Sequence, residues 1–216
     1  MESSAIENYI KAIYSICDKH GKTTITAVSE RLLISPPSVS DMIRRLYDKG
    51  LIKDKSDLTL SQAGELLARQ LIRKHRLWET FLVRALRFKW DEVHEIAEQL
   101  EHVHSPVLTE RLEAFLDYPK FDPHGDPIPD KNGNLPDLDA LPLNEAKVGQ
   151  SYIFKSVVTD AREFLNLLDN KGLQLYQKWK LIDKEEFDGS VRLLVEESNK
   201  VHLSDTVSRN LLVSAI

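Results

Sequence analysis

The sequence predicts a mainly α chain with β structure: an N-terminal winged helix-turn-helix, a helical middle region and a C-terminal small β-barrel. Apolar residues recur at helical spacing through the first half of the chain. Six of the nine prolines fall in residues 117–142, a composition typical of a linker or an ordered loop. Short apolar runs bounded by turn residues follow and are typical of strands. We therefore divide the chain into residues 1–74, 75–142 and 143–216.

The first part has the element order of a winged helix-turn-helix. One amphipathic helix ends at Gly21, and a brief extended segment at Thr24–Thr26 leads into a second helix, Ala27–Leu33. Ser35 is a suitable N-cap for a third helix, which Gly50 ends. Two short runs that could pair as a β-hairpin follow, Leu51–Asp54 and Leu58–Leu60.

The remainder is predicted as three helices, the proline-rich segment and a β-rich end. A long helix runs from Ser61 towards Phe88, and Trp90–His104 and Ser105–Leu116 form two more. Ala161–Leu168 is predicted as a helix among the strands. The predicted strands are Tyr152–Val158, Leu173–Ile182, Val191–Val195 and Lys200–Leu203.

Composition narrows the class of protein. With 42% hydrophobic and 29% charged residues the chain resembles an ordinary soluble protein, and no apolar run approaches the roughly 20 residues that span a bilayer. The first ten residues lack the features of a secretory signal. The one cysteine, Cys17, excludes an internal disulfide and a CxxC zinc site. We expect a cytoplasmic protein that does not associate with membranes.

Charge is distributed unevenly along the chain. The net charge is −5, but residues 1–74 hold 12 Lys and Arg against 9 Asp and Glu, and the remainder holds 17 against 25. This asymmetry favours a basic module joined to an acidic one.

The third helix has the residues of a DNA recognition helix. In a helix-turn-helix the second helix of the motif enters the major groove, small hydroxyls allow close approach, and arginines suit phosphates. An ordinary three-helix domain with a solvated helix is the alternative. The candidate DNA-binding residues are Ser35, Pro37, Ser38, Ser40, Asp41, Arg44 and Arg45.

The stretch EQLEHVH carries candidate metal ligands. If Trp90–His104 is one helix, four ligand-type residues share an arc of about 100° and His104 leaves it. An amphipathic surface helix shows the same arrangement, so the pattern alone favours the solvated interpretation. The four residues are His94, Glu98, Glu101 and His102.

A second helix offers partners for these residues. His75 and Glu79 are four apart and face the same way, and a short turn near Phe88–Trp90 could bring them opposite the first set. The sequence has no HExxH, P-loop, Rossmann or GxSxG pattern, so we expect a binding protein and not an enzyme.

Five motifs together resemble the diphtheria-toxin-repressor family of metal-dependent transcriptional repressors. They are YIKAIY (9–14), SPPSVSDMIRRL (35–46), RKHRLWETFL (73–82), VHEIAEQLEHVHS (93–105) and FDPHGDPIP (121–129). The resemblance covers essentially the whole chain. It implies that residues 75–142 bind metal and dimerise, and that residues 143–216 form an SH3-like domain.

The resemblance implies a primary, activating metal site at Glu98, Glu101, His102 and Asn8. Manganese-type members have Asp at the position of Asn8 and iron-type members have Met, so Asn8 is a departure. Lys11 replaces a carboxylate found in one branch, which puts that branch's paired-metal arrangement in doubt.

The resemblance also implies an ancillary site, for which two ligand sets stay open. Both share His75, Glu79 and His94. The third domain would add Asp160 and Glu163, whereas some manganese-type relatives use the FDPHG loop, here Asp122 and His124. For the loop residues an Asx turn without metal is an equal alternative.

The implied cofactor and partners follow from the same likeness. Iron-type members place Cys at the position of Glu98, and carboxylate and amide oxygens suit Mn²⁺, with Fe²⁺ as the alternative. Co²⁺, Zn²⁺ or Ni²⁺ are expected to substitute in vitro. The implied partner is double-stranded palindromic operator DNA, bound by a homodimer through contacts around Trp90–Asp117, in control of metal-uptake genes. A winged-helix regulator not gated by metal is the competing hypothesis.

Overall fold

The computed structural model describes residues 2–216, with the side chains of residues 4–18 and 21–216. Its helices alternate with turns through the first half of the chain and return twice in the second. The helices are α1 Glu2–His20, α2 Ile25–Leu32, α3 Pro36–Asp48, α4 Gln62–Arg84, α5 His94–Leu100, α6 Pro106–Phe115, α7 Arg162–Asn170 and α8 Asp205–Arg209.

The strands form two antiparallel sheets. The strands are β1 Ile52–Asp54, β2 Thr59–Leu60, β3 Leu141–Pro142, β4 Ser151–Val157, β5 Lys178–Lys184, β6 Val191–Val195, β7 Asn199–Leu203 and β8 Leu211–Ala215. A two-stranded hairpin joins β1 to β2, and a six-stranded sheet has the order β3-β8-β4-β5-β6-β7. The predicted fold class, helical with a winged helix-turn-helix first and a small SH3-like β domain last, is confirmed.

The first three helices and the hairpin enclose one apolar core. The α3 helix buries Val39, Ile43 and Leu46 in it. The prediction of an extended segment at Thr24–Thr26 is wrong, because the Thr24 hydroxyl accepts a hydrogen bond from the Ala27 amide and starts α2 at Ile25.

The α4 helix joins this core to α5 and α6, which both contact it. Ser61 caps it by accepting the Gly64 amide at 3.1 Å. A Cβ on Gly64 would lie 2.2 Å from the Leu51 carbonyl oxygen, so the glycine lets the start of α4 pack against the hairpin.

The predicted helix Trp90–His104 is wrong in its extent, since α5 covers only His94–Leu100. At its start, the Trp90 indole donates to Asp169 in the third domain. At its end, Ser105 has an extended backbone and caps α6, so the chain leaves the helix before that residue. The angles of a continuous helix therefore do not apply to Glu101 and His102.

The third domain is the six-stranded sheet with α7 and α8 against it. Its core contains the large buried side chains of Tyr152, Phe154 and Trp179. The strand predicted from Leu173 begins only at Lys178, because residues 173–177 form a turn. The prediction also missed α8 and β8, and β8 pairs with both β3 and β4.

Two features bear on the division of the chain. The cores of the N-terminal and C-terminal parts are separate clusters, and smaller ones lie around α4, α5 and α6. The strand β3 lies before the predicted boundary after residue 142 but pairs with β8 of the third domain. The boundaries after residues 74 and 142 stay a prediction.

Among the described helices, none has the length and apolar character needed to cross a membrane.

Candidate metal centre

Glu79, on α4, is the centre of a buried group of imidazoles and carboxylates. Its Oε1 lies 3.0 Å from Nε2 of His75, one turn earlier, and 3.5 Å from Nδ1 of His94 on α5. Its Oε2 lies 3.7 Å from Nδ1 of His124 in the FDPHG loop. The helical spacing of four residues brings Glu79 and His75 onto one face of α4, as predicted.

His75 has a carboxylate at each ring nitrogen. Its Nδ1 lies 2.6 Å from Oε2 of Glu101, while its Nε2 faces Glu79. A neutral imidazole donates through only one nitrogen. With Nδ1–H directed at Glu101, Nε2 is the nitrogen that can ligate an ion beside Glu79 once the ring is neutral, which is the arrangement of a carboxylate-oriented histidine ligand.

His94 carries a buried nitrogen without a hydrogen bond. Its Nδ1 lies 3.0 Å from Oδ2 of Asp160 and 3.5 Å from Glu79, yet makes no hydrogen bond of acceptable geometry. Asp160 follows β4 in the third domain, so this cluster joins α4, α5 and the third domain.

The FDPHG loop forms the other side of Glu79. Oδ1 of Asp122 accepts the amides of His124 and Asp126, the Asx turn that the sequence left open. Nε2 of His124 donates to the Trp90 carbonyl at 2.8 Å, so Nδ1 faces Glu79 and is the nitrogen that can ligate once the ring is neutral. The turn therefore orients His124 and does not exclude ligation.

The imidazoles and carboxylates of this cluster shift one another's pKa values. Asp160 raises the pKa of His94 to about 11, with Glu79 adding to the effect. Burial lowers the pKa of His124, but Glu79 outweighs it and the value rises to about 9. Burial raises the pKa of Glu79, yet the surrounding imidazoles hold it well below its usual range. Protons on these rings thus take the place of a cation.

Burial dominates at the loop carboxylate. It raises the pKa of Asp122 to about 7, and the charges of Asp126 and Glu79 act in the same direction. A group of this kind ionises readily only when a further positive charge lies close by.

The donor set fits a divalent cation. Ligand atoms of His75, Glu79 and His94 all lie within 4.8 Å of one another, and so do those of Glu79, Asp122 and His124. Neighbouring ligands of a six-coordinate ion with bonds of about 2.1 Å lie roughly 3 Å apart, close to the separations around Glu79. The unbonded Nδ1 of His94 is the atom that such an ion would satisfy.

The residues of the predicted primary site are less closely grouped. Asn8, Glu98 and His102 line one cleft beside α1. The Glu101 side chain is turned away to His75, and within the described part of the chain Glu98, Glu101 and His102 do not form a set of ligand atoms within 4.8 Å. Nδ1 of His102 instead lies 2.6 Å from Oε2 of the buried Glu7.

One predicted ligand lies apart, and two contacts were missed. Glu163 is exposed in the first turn of α7, and no contact joins it to the cluster among the residues described. Glu7 and Lys11, both on α1, contact His102 and Glu101 respectively. Helical periodicity places them on α1 but does not report contacts with residues so distant in the chain.

The predicted DNA-binding residues share the exposed side of α3. Asp41 forms an ion pair with Arg44, so its negative charge, which would repel a phosphate, is neutralised. Oγ of Ser35 lies 3.0 Å from Oγ of Ser38 at the start of the helix. The exposed residues are Ser35, Pro37, Ser38, Ser40, Asp41, Arg44 and Arg45.

Two family models match consecutive parts of the chain. The model described as the N-terminal DNA-binding domain of iron-dependent repressors matches residues 1–60. The model described as their metal-binding and dimerisation domain matches residues 61–130.

Similar proteins and structures extend the match. The iron-dependent repressor IdeR of Mycobacterium bovis is 39% identical over 126 residues, which are 57% of this chain and 54% of that protein. The chain thus spans about half the length of that curated relative. A manganese-dependent transcriptional repressor in complex with manganese is 31% identical with a TM-score of 0.89, covering 98% of this chain and 100% of that one. The repressor ScaR with bound Cd²⁺ is 36% identical with a TM-score of 0.80, covering 98% and 99%.

Proposed function

Because the chain belongs to the iron-dependent repressor family, we propose that it is a transcriptional repressor whose affinity for operator DNA rises when a divalent metal ion binds. We assign it no catalytic residue. We propose that it acts in the cytoplasm and controls metal-uptake genes.

The cluster around Glu79 is the observation that carries this proposal. Its residues come from α4, α5, the FDPHG loop and the third domain, and the Nδ1 atom of His94 makes no hydrogen bond there. A divalent cation bound here supplies positive charge that satisfies these lone pairs and carboxylates together. We assign His75, Glu79 and His94 as ligands with Asp160, and Asp122 and His124 as ligands on the loop side.

A second ion is assigned to the cleft beside α1. Asn8, Glu98 and His102 line it, and Glu7 orients the His102 ring by accepting from Nδ1, which leaves Nε2 as the ligand atom. Family likeness adds Glu101 to the ligands of this second ion. It also adds Glu163 to the ancillary set. Ligands held between α1 and the helical core make the position of the DNA-binding part depend on the ion.

Manganese is the metal that the donor set favours. The ligands are carboxylates, imidazoles and an amide, with Glu98 at the position where iron-type members have cysteine, and hard oxygen donors suit Mn²⁺. Fe²⁺ is the alternative. Co²⁺, Zn²⁺ and Ni²⁺ bind nitrogen and oxygen sites at least as tightly in vitro without being the physiological signal.

The DNA contact is assigned to α3. Its exposed serines and Pro37 can approach base edges closely, and Arg44 and Arg45 suit phosphates. A homodimer would present two such helices to a palindromic operator, with half-sites about one turn of DNA apart or a multiple of it.

The dimer contact is assigned to the region around α5 and α6. Val107 and Phe115 on α6 are large apolar side chains exposed in the single chain. Burial of these side chains against a second copy would remove them from water, as apolar interfaces do.

A DNA titration tests the proposal. Duplexes are first selected from a random pool both with Mn²⁺ and with a chelator, and their affinity is then measured with Mn²⁺, Fe²⁺, Co²⁺ and Zn²⁺. We expect metal to tighten binding by wild type and by the control Glu95→Ala, and Glu98→Ala to weaken the response. Equal affinity with metal and with chelator would favour a winged-helix regulator that is not gated by metal.

A further inference from the structure

Lys11 joins three helices at a buried point. It lies on α1 and is 19% exposed, and its Nζ is 2.6 Å from Oε2 of Glu101, just beyond α5. The same Nζ is 3.3 Å from Nδ1 of His75 on α4 and 3.9 Å from Oε1 of Glu98. An ammonium group therefore lies among the side chains where family likeness implies a metal ion.

Glu101 needs a positive charge at this position. Its side chain is 1% exposed, and a buried carboxylate without a cationic partner is strongly unfavourable. Oε2 receives Lys11 and His75 together, at 2.6 Å each. Burial raises the pKa of Glu101, but His75 and Lys11 outweigh burial and hold the pKa below its usual value.

The ammonium and a divalent cation exclude each other here. Lys11 has donors only and cannot ligate a metal while it is protonated. A cation bound to Oε2 of Glu101 at about 2.1 Å would lie within about 5 Å of the ammonium that already contacts the same oxygen at 2.6 Å, and like charges at that distance in a largely buried place repel each other.

We infer that Lys11 is a built-in cation that takes the place of a metal ion at Glu101. Glu101 is then a positioning residue that links Lys11 to His75 and orients the His75 ring, and it is not a metal ligand. The inference rests on the proposed function and narrows it. Within the cleft beside α1, only Asn8, Glu98 and His102 remain to bind a divalent ion.

A further contact on α1 supports a metal-independent role for this helix. Glu7, one turn before Lys11, accepts from His102 at 2.6 Å and is buried. The α1 helix thus gives one carboxylate and one ammonium to the helical core. These two contacts tie the DNA-binding part to the core.

Metal stoichiometry of the full chain tests the inference. Equilibrium dialysis against Mn²⁺, with native mass spectrometry, compares wild type, Lys11→Gln and Lys11→Arg. We expect Lys11→Gln to bind one further Mn²⁺ per chain, because Glu101 becomes available, and Lys11→Arg to bind as wild type. Unchanged stoichiometry in a folded Lys11→Gln chain overturns the inference.

Lys74→Gln is the matched control for loss of charge. Lys74 is half-buried on α4, and burial lowers its pKa against the opposing charges of Glu7 and Glu101. It lacks the 2.6 Å contact that Lys11 makes, so we expect its removal to leave the number of bound ions unchanged. If Lys74→Gln also bound one further Mn²⁺ per chain, the gain would come from the loss of positive charge in general and not from Glu101, and the inference would be overturned.

A second variant does not depend on the folding of Lys11→Gln. Glu101→Gln keeps the shape of the side chain, and we expect it to keep the wild-type number of Mn²⁺ ions. Loss of an ion would make Glu101 a ligand and overturn the inference. If neither wild type nor Glu79→Gln binds Mn²⁺, the proposed function fails. This result differs from the one that overturns the inference, in which wild type binds Mn²⁺ and Glu101→Gln binds fewer ions.

Discussion

Oδ2 of Asp160 lies 3.0 Å from Nδ1 of His94. This contact connects the third domain to the cluster around Glu79, so the domain contributes directly to the candidate metal centre. Asp160 is half-exposed, and its contact with His94 lowers its pKa to about 2. The carboxylate is thus ionised and available to a cation over the whole physiological pH range.

Asp160→Asn is expected to weaken Mn²⁺ binding about tenfold or more, since an oriented anionic donor is lost. Isothermal titration calorimetry measures the change, and circular dichroism checks the fold. Glu163→Gln, which alters an exposed carboxylate three residues away, is the matched comparison. A larger loss in Glu163→Gln than in Asp160→Asn would contradict the assignment of Asp160.

Gly125→Ala is expected to disturb the FDPHG loop. Gly125 has a φ of +86°, and a Cβ there would lie 2.0 Å from the Lys155 carbonyl oxygen. Left-handed backbone costs an alanine roughly 1–2 kcal/mol, and the clash adds to that cost and moves the loop that holds His124. We expect a lower Tm and weaker Mn²⁺ binding.

Gly149→Ala is the control for that substitution. Gly149 has nearly the same φ, +87°, with nothing within 4 Å of the added Cβ. It should lower Tm by about 2–4 °C for each kcal/mol of strain and leave Mn²⁺ affinity unchanged. Equal effects of the two variants on metal affinity would show that the loop does not position a ligand.

The stability of the fold and its affinity for Mn²⁺ should both depend on pH, because the pKa values of His94, about 11, and His124, about 9, are raised. Because both exceed the unfolded value of about 6.5, their protonation fully stabilises the metal-free fold below that pH, and the contribution is lost as pH rises towards the folded values. Melting curves of the metal-free chain should show Tm falling across this window. Ligation needs neutral rings, so Mn²⁺ affinity should rise there.

Proton release on Mn²⁺ binding measures the same effect. Calorimetry in two buffers of different ionisation enthalpy gives the number of protons released, and we expect His94→Gln to reduce it. His202→Gln alters an exposed histidine on β7 and should not. A wild-type chain that binds Mn²⁺ without releasing protons would contradict the protonated state of the cluster.

Val107→Asp is expected to dissociate the proposed homodimer, because a carboxylate would be buried in an apolar contact. Sedimentation velocity measures the change. Val148→Asp is the control, since Val148 in the third domain has a similar exposure, 52% against 57%. A variant Val107→Asp that remains dimeric would place the interface elsewhere.

Helical periodicity predicted much of the fold because it reports which face of an element is buried. It located α1, α3, α4 and α6, and it paired His75 with Glu79 on one face. It extended α5 too far at both ends. Trp90 makes a tertiary contact with Asp169 before the helix begins, and Ser105 caps the next helix, which is a local effect. The short β8 strand was missed because its identity as a strand depends on pairing with β4.

The site was harder to predict than the fold because its contacts span the chain. Lys11 and Glu101 are 90 residues apart, and Glu7 and His102 are 95 apart. No spacing rule connects such residues. Only the packing of α1 against α4 and α5 shows that Glu101 contacts an ammonium group.

Reciprocal coupling between metal and operator is the most direct test of metal-dependent repression. If Mn²⁺ tightens operator binding by some factor, the operator must tighten Mn²⁺ binding by the same factor. The measurement is the Mn²⁺ affinity of the wild-type chain with and without a saturating operator duplex. Metal-dependent repression predicts tighter Mn²⁺ binding in the complex, and identical affinities in the two states would contradict it.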